Sequence, residues 1–288
     1  VSAPLSEKAF AKINLTLRVL GRRADGYHEL ESLVAFADVA DALTLEPGSA
    51  DGLDMSGPFA SKSGPVDDNL VLKSLAELRR RIPGLKGGQF RLEKNLPVAA
   101  GIGGGSADAA AALRLLARAN GIALDDPRLM AAAQCASADV PVCLDPRPRI
   151  MRGFGEVLSP PLDLPPIPAV LVNPGVALVT REVFGQFKGV HAGRGLAGVP
   201  TKTGPLIELL KQQDNDLTVA ATACAPAVGE VLVALRSAPG NALARMSGSG
   251  ATCFALFGSR EEAAAAAQRL KGERATWWIQ ATTIGAVT

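Results

Sequence analysis

Residues Pro97 to Ser106 read Pro-Val-Ala-Ala-Gly-Ile-Gly-Gly-Gly-Ser and run straight into a stretch of strong helix formers, Ala107 to Ala119. Glycine at Gly101, Gly103, Gly104 and Gly105 lets backbone amides approach a ligand with no Cβ in the way. The free amides and the positive dipole end at a helix start favour an anion. Density of glycine and onset of helix coincide here, and the chemistry they suit is phosphate binding. The loop is not of the Walker type, which ends in Gly-Lys followed by Ser or Thr, because the chain has no Gly-Lys pair. Nor is it a dinucleotide fingerprint begun at Gly101, since Ser106 stands where the last glycine or alanine belongs. A second glycine cluster, Met246-Ser-Gly-Ser-Gly-Ala-Thr252, precedes an apolar strand. Alone it is an ordinary turn signal, and beside the first loop it gains weight.

These loops need elements to hold them. Ala11 to Leu20 alternates apolar Ile13, Leu15, Leu17 and Val19 with polar Lys12, Asn14, Thr16 and Arg18, which predicts a half-buried strand with Lys12 and Asn14 on one face. A turn follows over Gly21 to Gly26, then further strands from Glu29 to Leu45. Asp67-Asp68-Asn69 reads as the entry to an amphipathic helix that stops near Pro83-Gly84. A strand is expected from Phe90 to Leu96, leading into the glycine loop and its helix, with Asp108 in the first turn and Asn120-Gly121 as stop signal. A helix over Pro127 to Ser137 comes next, then Asp139 among apolar residues in Ala138 to Cys143, and a glycine-bearing turn over Met151 to Gly155.

Five prolines between Pro160 and Pro168 mark a boundary, giving domains of residues 1–160 and 161–288, with the last strand free to return to the first domain. The second half carries a strand from Ala169 to Asn173, a Gly/Pro-rich loop from Gly189 to Pro205, helices at Leu206 to Gln213, Val228 to Ser237 and Arg260 to Leu270, and a strand from Thr252 to Phe257. Strands and helices lack a strict βαβ rhythm, so the class is α+β.

Composition removes several functions. Hydrophobic residues are 48% of the 288, enough for a real core. The net charge of +2 is spread without a basic block, which argues against nucleic acid as partner. No run approaches the ~18 apolar residues of a membrane span, and Val1 to Ala11 lacks the pattern of a secretory signal. Cys135, Cys143, Cys224 and Cys253 form no Cys-x-x-Cys pair and read as reduced thiols, which suits a cytoplasmic protein.

Three segments together resemble the GHMP kinase superfamily: the strand with Lys12 and Asn14, the Pro97–Ala107 loop, and the Met246–Thr252 glycine motif. The runs Ala11-Lys-Ile-Asn-Leu15, Arg23-Ala-Asp-Gly-Tyr-His-Glu29, Gly103-Gly-Gly-Ser106 and Ala138-Asp-Val-Pro141 are similar to the branch that phosphorylates a cytidine diphosphate-linked polyol for isoprenoid synthesis. The resemblance implies two domains with the active site in the cleft between them, and ATP with Mg2+ as co-substrate. ATP would lie along Pro97, Val98, Ala99, Ala100, Gly101, Ile102, Gly103, Gly104, Gly105, Ser106 and Ala107. The family's lysine and aspartate fall on Lys12 and Asp139. Asn14, Tyr27, His28, Thr180 and Phe184 fall where it holds substrate, with Tyr27 and Phe184 as stacking aromatics and His28 on the base edge. Ala100 stands where the family often has glycine, and Ala107 where a second serine is common.

On residue type alone, Lys12 is equally a solvated strand residue, Asp139 a helix cap or ion-pair member, Tyr27-His28 a turn decoration and Phe184 a core side chain. The chemistry is nonetheless coherent. Phosphoryl transfer needs a placed hydroxyl, neutralised γ-phosphate charge and a proton acceptor, and a lysine and an aspartate supply the last two. The rival readings are a homoserine- or mevalonate-type kinase of the same superfamily, and a ligand sensor without catalysis on the same scaffold. Self-association is left open.

Overall fold

The computed structural model describes residues 3–24, 26–48, 50–189, 195–196 and 198–287. Its strands are β1 (Leu5–Asn14), β2 (Arg18–Arg22), β3 (His28–Pro47), β4 (Gly52–Ser56), β5 (Gly88–Glu93), β6 (Arg149–Gly153), β7 (Val157–Leu158), β8 (Ile167–Asn173), β9 (Asn241–Met246), β10 (Cys253–Phe257) and β11 (Trp278–Gly285). The helices are α1 (Leu70–Arg81), α2 (Gly104–Asn120), α3 (Pro127–Ala136), α4 (Val140–Leu144), α5 (Thr180–Gln186), α6 (Thr203–Lys211), α7 (Thr218–Cys224), α8 (Ala227–Arg236) and α9 (Arg260–Glu273). The class is α+β.

Packing divides the chain into two compact units, each assembled from several segments. The first takes the N-terminal residues through Ala11, Ala40–Val98 and Gly103–Asp145. The second takes Lys12–Val39, Ala99–Ile102 and the chain from Pro146.

In the first unit the end of β3 pairs antiparallel with β5, Ala42 opposite Glu93, and β4 runs parallel to β5. Helix α1 starts where the Asn69 side chain accepts from the Val71 amide, a cap that offsets an orphan donor. Helix α2 is buried without interruption from Ser106 to Ala117. Its alanine run, Ala109 to Ala112, has no side chain long enough to keep neighbours away, so α1, α3 and α4 all pack on it. Gly121, left-handed at φ +63°, closes it.

In the second unit β9, β10, β8 and β11 form an antiparallel series, and β11 ends beside β3 with Ile284 opposite Ala37. β2 and β3 make a hairpin, with Arg22 opposite His28, and β6 lies along β3 from Leu30 to Val34. The core is built of Val170, Val172, Leu232, Leu235, Phe257 and Leu270 among others, from β8, α8, β10 and α9.

Two local expectations change. The segment from Ala11 to Leu20 is not one strand: the chain bends at Leu15 and Thr16 between β1 and β2. The buried Arg245 guanidinium fixes the bend by donating to the carbonyls of Leu15 (2.7 Å) and Leu210 (2.8 Å). Nor is its polar face solvated: Lys12, Asn14, Thr16 and Arg18 are between 0% and 4% exposed. Pairing of most of their polar atoms makes this burial tolerable; Thr16 Oγ1 accepts from the Leu33 amide, and Arg18 faces Glu31. The expected turn at Met151 to Gly155 is instead the end of β6 followed by a short turn. Of the Gly/Pro-rich stretch from Gly189 to Pro205, residues 190–194 and 197 lie outside the described residues.

Candidate active site

Within the glycine loop four successive carbonyls are spoken for. Ala99 O accepts from Leu178 N (3.3 Å), Ala100 O from Thr252 N (3.0 Å), Gly101 O from Ser247 Oγ (2.9 Å) and Ile102 O from Lys12 N (2.9 Å). With its acceptors turned to protein, the loop is left to offer donors. The next residues, Gly104, Gly105 and Ser106, form the first turn of α2, whose amides have no acceptor a turn earlier. Pro97, Ala100, Ile102, Ser106 and Ala107 are buried, Val98, Gly101, Gly103 and Gly104 half-buried, and Ala99 and Gly105 exposed. Ala99 holds the only left-handed non-glycine φ among the described residues, +50°, a conformation that costs about 1 kcal/mol.

The second glycine cluster lies directly on Gly101. A Cβ at Gly101, where φ is +73°, would stand 2.4 Å from Ser247 O and 2.7 Å from Gly250 N. One at Gly248 would stand 2.7 Å from Gly101 O. Two backbones approach here as only glycine allows. Ser247 joins them to β1, because its hydroxyl accepts from Asn14 N (3.0 Å) while donating to Gly101 O. Asn14 Nδ2 donates to Ser32 Oγ (2.8 Å), and Asn14 Oδ1 is buried without a hydrogen-bond partner. Thr180, at the start of α5, is exposed with Oγ1 3.0 Å from Ser249 Oγ. Lys12, 4% exposed, is thus no solvated strand residue.

An aromatic group forms around the β2–β3 hairpin. The His28 ring stacks on Phe184 with centroids 4.8 Å apart and meets the edge of Phe187 at 6.5 Å. Tyr27 is 61% exposed and leans on Phe154 at 5.3 Å, with the Arg23 guanidinium over the same Phe154 ring at 5.5 Å. An exposed tyrosine propped from behind is a ready stacking platform for a flat ligand. Burial, and then the neighbouring Arg22, hold the His28 imidazole below its ordinary range, so at neutral pH it is uncharged and can both donate and accept.

In the first unit Asp139 is the residue before α4, half-buried, and its side chain makes no capping bond. Arg114 of α2 fixes the other end of that short helix by donating to Cys143 O (2.8 Å), while also bonding Lys8 O and Glu7. Behind the first turn of α2, Lys94 bridges Asp41 and Asp108. Burial, offset only in part by Lys94, pushes Asp108 up to about 8. Burial opposes the charge on Lys94 as well, but the two carboxylates more than compensate and raise it.

Sequence patterns did not mark Phe187, Asp41 or Lys94, and gave no role of their own to Ser247, Phe154 or Asp108. Gly248 beside Ser247 and the glycines on either side of Phe154 were the available signal for two of them. Nothing local distinguishes Asp41 or Lys94 from surface charges.

The model of the GHMP kinases N terminal domain matches residues 69–145, and that of the GHMP kinases C terminal domain residues 200–274. The 4-diphosphocytidyl-2-C-methyl-D-erythritol kinase of Rhodopseudomonas palustris strain BisB5 is 55% identical over 289 residues, covering 96% of this chain and 98% of its own. The protein of the same name from Methylobacterium radiotolerans is 55% identical over 286 residues, covering 96% and 98%. A crystal structure of 4-(cytidine 5'-diphospho)-2C-methyl-D-erythritol kinase superposes with a TM-score of 0.80 at 35% identity, over 98% of this chain and all of that one, 100%. A homoserine kinase from Cytophaga hutchinsonii shares the fold, with a TM-score of 0.72 at 19% identity over 99% of this chain and 96% of that one. On relatives this similar, aligned almost end to end, the chain belongs to the GHMP kinases, in the branch of the 4-diphosphocytidyl-2-C-methyl-D-erythritol kinases.

Proposed function

We propose that this chain transfers the γ-phosphate of ATP to the 2-hydroxyl of 4-diphosphocytidyl-2-C-methyl-D-erythritol, in the non-mevalonate route to isoprenoid precursors. The fastening of the glycine loop carries the reading: its carbonyls are bound to protein from Ala99 to Ile102, and α2 then opens with unpaired-by-geometry amides. The phosphates of ATP rest on the turn from Gly103 to Ser106. The cytosine stacks on the Tyr27 and Phe184 aromatics, with neutral His28 on its edge. Asn14 Oδ1, which has no protein donor, accepts from a hydroxyl of the polyol, and Thr180 serves the polar end of the substrate.

Transfer is direct. The 2-hydroxyl oxygen forms a bond to the γ-phosphorus as the bond to the bridging oxygen of ADP breaks, and the hydroxyl proton passes to Asp139. Lys12 offsets negative charge as it builds on the phosphoryl oxygens. An aspartate is a weak base at neutral pH, so placement contributes more than basicity. Mg2+ would arrive with ATP and would offset phosphate charge; among the described residues no group of three His, Cys, Asp or Glu side chains could hold an ion alone.

The described cysteines are free thiols and no described helix is long and apolar enough to cross a membrane; we place the enzyme in the cytoplasm, where its thiols stay reduced. Product analysis tests the reaction. 31P NMR should reveal one new phosphomonoester on the 2-hydroxyl, with the diphosphate linkage of the substrate intact. A phosphate elsewhere, or a cleaved diphosphate, would overturn the assignment.

A further inference from the structure

Three buried ionisable groups behind α2 take no part in the transfer just described. Asp41 is 0% exposed, Asp108 2% and Lys94 4%. Lys94 Nζ lies 2.7 Å from Asp108 Oδ2 and also bonds Asp41 Oδ2. The cluster lies against the first residue of α2: a Cβ on Gly104 would stand 3.6 Å from Lys94 Nζ and 3.8 Å from Asp41 Oδ2. It therefore lies against the start of α2, and Asp108, expected in the first turn, stands just beyond it because the helix already begins at Gly104.

We propose that Asp108 is a positioning residue that works in its protonated form, keeping this cluster neutral behind the phosphate site, so that losing the proton weakens ATP binding. The proposal rests on the nucleotide reading of the Pro97–Ser106 loop.

Two carboxylates around one ammonium would leave a net negative charge in the interior, where it is costly. One proton removes it, and the hydrogen bonds say which acid holds it. Asp41 has three donors, the amides of Asn95 and Leu96 and Lys94 Nζ. Asp108 has Lys94 on one oxygen, and its Oδ1 has no partner. The acid with fewer donors to its carboxylate, Asp108, keeps the proton, and its raised titration agrees.

Among the described residues, the helices packed on α2 bury no other charge. The buried faces of α1 (Val71, Ser74, Leu75, Leu78), α3 (Leu129, Ala132, Ala133) and α4 (Val140, Pro141, Val142, Cys143) carry none. The next charged side chain buried along α2 is Arg114, which is occupied by Glu7 and two carbonyls. A helix start offers roughly half a positive charge to a bound anion. Ionised Asp108 would set a full negative charge directly behind that helix start and oppose the phosphates. By reciprocity, ATP binding must raise the affinity of Asp108 for its proton.

The test is calorimetric titration of Mg-ATP into wild type and Asp108→Asn at pH 7, 8 and 9, in two buffers of different ionisation heat. The amide mimics the protonated acid in shape and charge. Nucleotide phosphate is already ionised across this range, its second pKa being about 6. Wild type should bind about fivefold more weakly at pH 9 than at pH 7 and take up protons on binding at pH 8. Asp108→Asn should match wild type at pH 7, stay flat to pH 9 and take up none. A flat wild type without proton uptake overturns the proposal, as does the same rise in the variant. Should the variant fail to fold, proton uptake by wild type decides alone. No saturable binding at pH 7 would instead sink the nucleotide assignment, and this inference with it.

Discussion

Residues Ala99 to Ile102 are held through their carbonyls by neutral hydrogen bonds, whereas the turn that follows, Gly104 to Asp108, is backed by two acids and a lysine in the interior. Neutral bonds between close-packed backbones fix where the loop runs and do not respond to pH. A buried charged cluster fixes position less economically, since each ion must be compensated, but it sets the local potential and can titrate. Geometry and field at one glycine loop thus come from different chemistry, and substitutions can separate them.

The largest effect is expected where the backbones touch. Gly101→Ala puts a Cβ 2.4 Å from Ser247 O at a positive φ, costing about 3 kcal/mol or more. Urea unfolding should register that loss, and kinase activity should fall at least as steeply. Asp139→Ala separates chemistry from binding. It should lower kcat by at least ~10²-fold with ATP affinity nearly unchanged, and near-normal turnover would remove Asp139 from the proposed mechanism.

Ser247→Ala sharpens the neutral side of the comparison. It strands Gly101 O and Asn14 N, each worth about 1–3 kcal/mol when left unsatisfied. The KM for ATP should rise about tenfold or more, equally at pH 7 and pH 9. Tyr27→Ala removes a stacking face worth about 1–3 kcal/mol, so the KM for the cytidylated substrate should rise while that for ATP holds.

The smallest effect concerns the charged side. Asp108 stands near 8 in the fold against an ordinary 3.8, so between those pH values the unfolded chain gives up a proton that the folded chain keeps. Stability from this group is full below pH ~4, falls as pH rises and is lost by pH ~8. Asp108→Asn escapes that loss, and its Tm advantage over wild type should grow from pH 5 to pH 8 by a few degrees. A constant Tm difference would show that Asp108 does not titrate in this window.

Much of this was legible in the chain. The glycine loop declared itself because glycine density and helix formers adjoin, although α2 begins at Gly104, two residues before the first non-glycine of the run. Lys12 and Asn14 were placed on one strand face by alternation, but alternation implied solvent on that face. It could not foresee that Ser32, Leu33 and Ser247 would supply partners from far along the chain and let both faces be buried. Asp41, Lys94 and Asp108 lie 53 and 14 residues apart, and each alone resembles a surface charge. The interleaving of segments in each unit was equally hidden, since a proline-rich boundary marks where an element stops and not which segments pack together.

The most direct measurement is ADP release from Mg-ATP by the purified protein with 4-diphosphocytidyl-2-C-methyl-D-erythritol, beside homoserine and mevalonate. Turnover with the cytidylated polyol alone is the expected result. Turnover with homoserine or mevalonate in its place, or with none of the three, would contradict it.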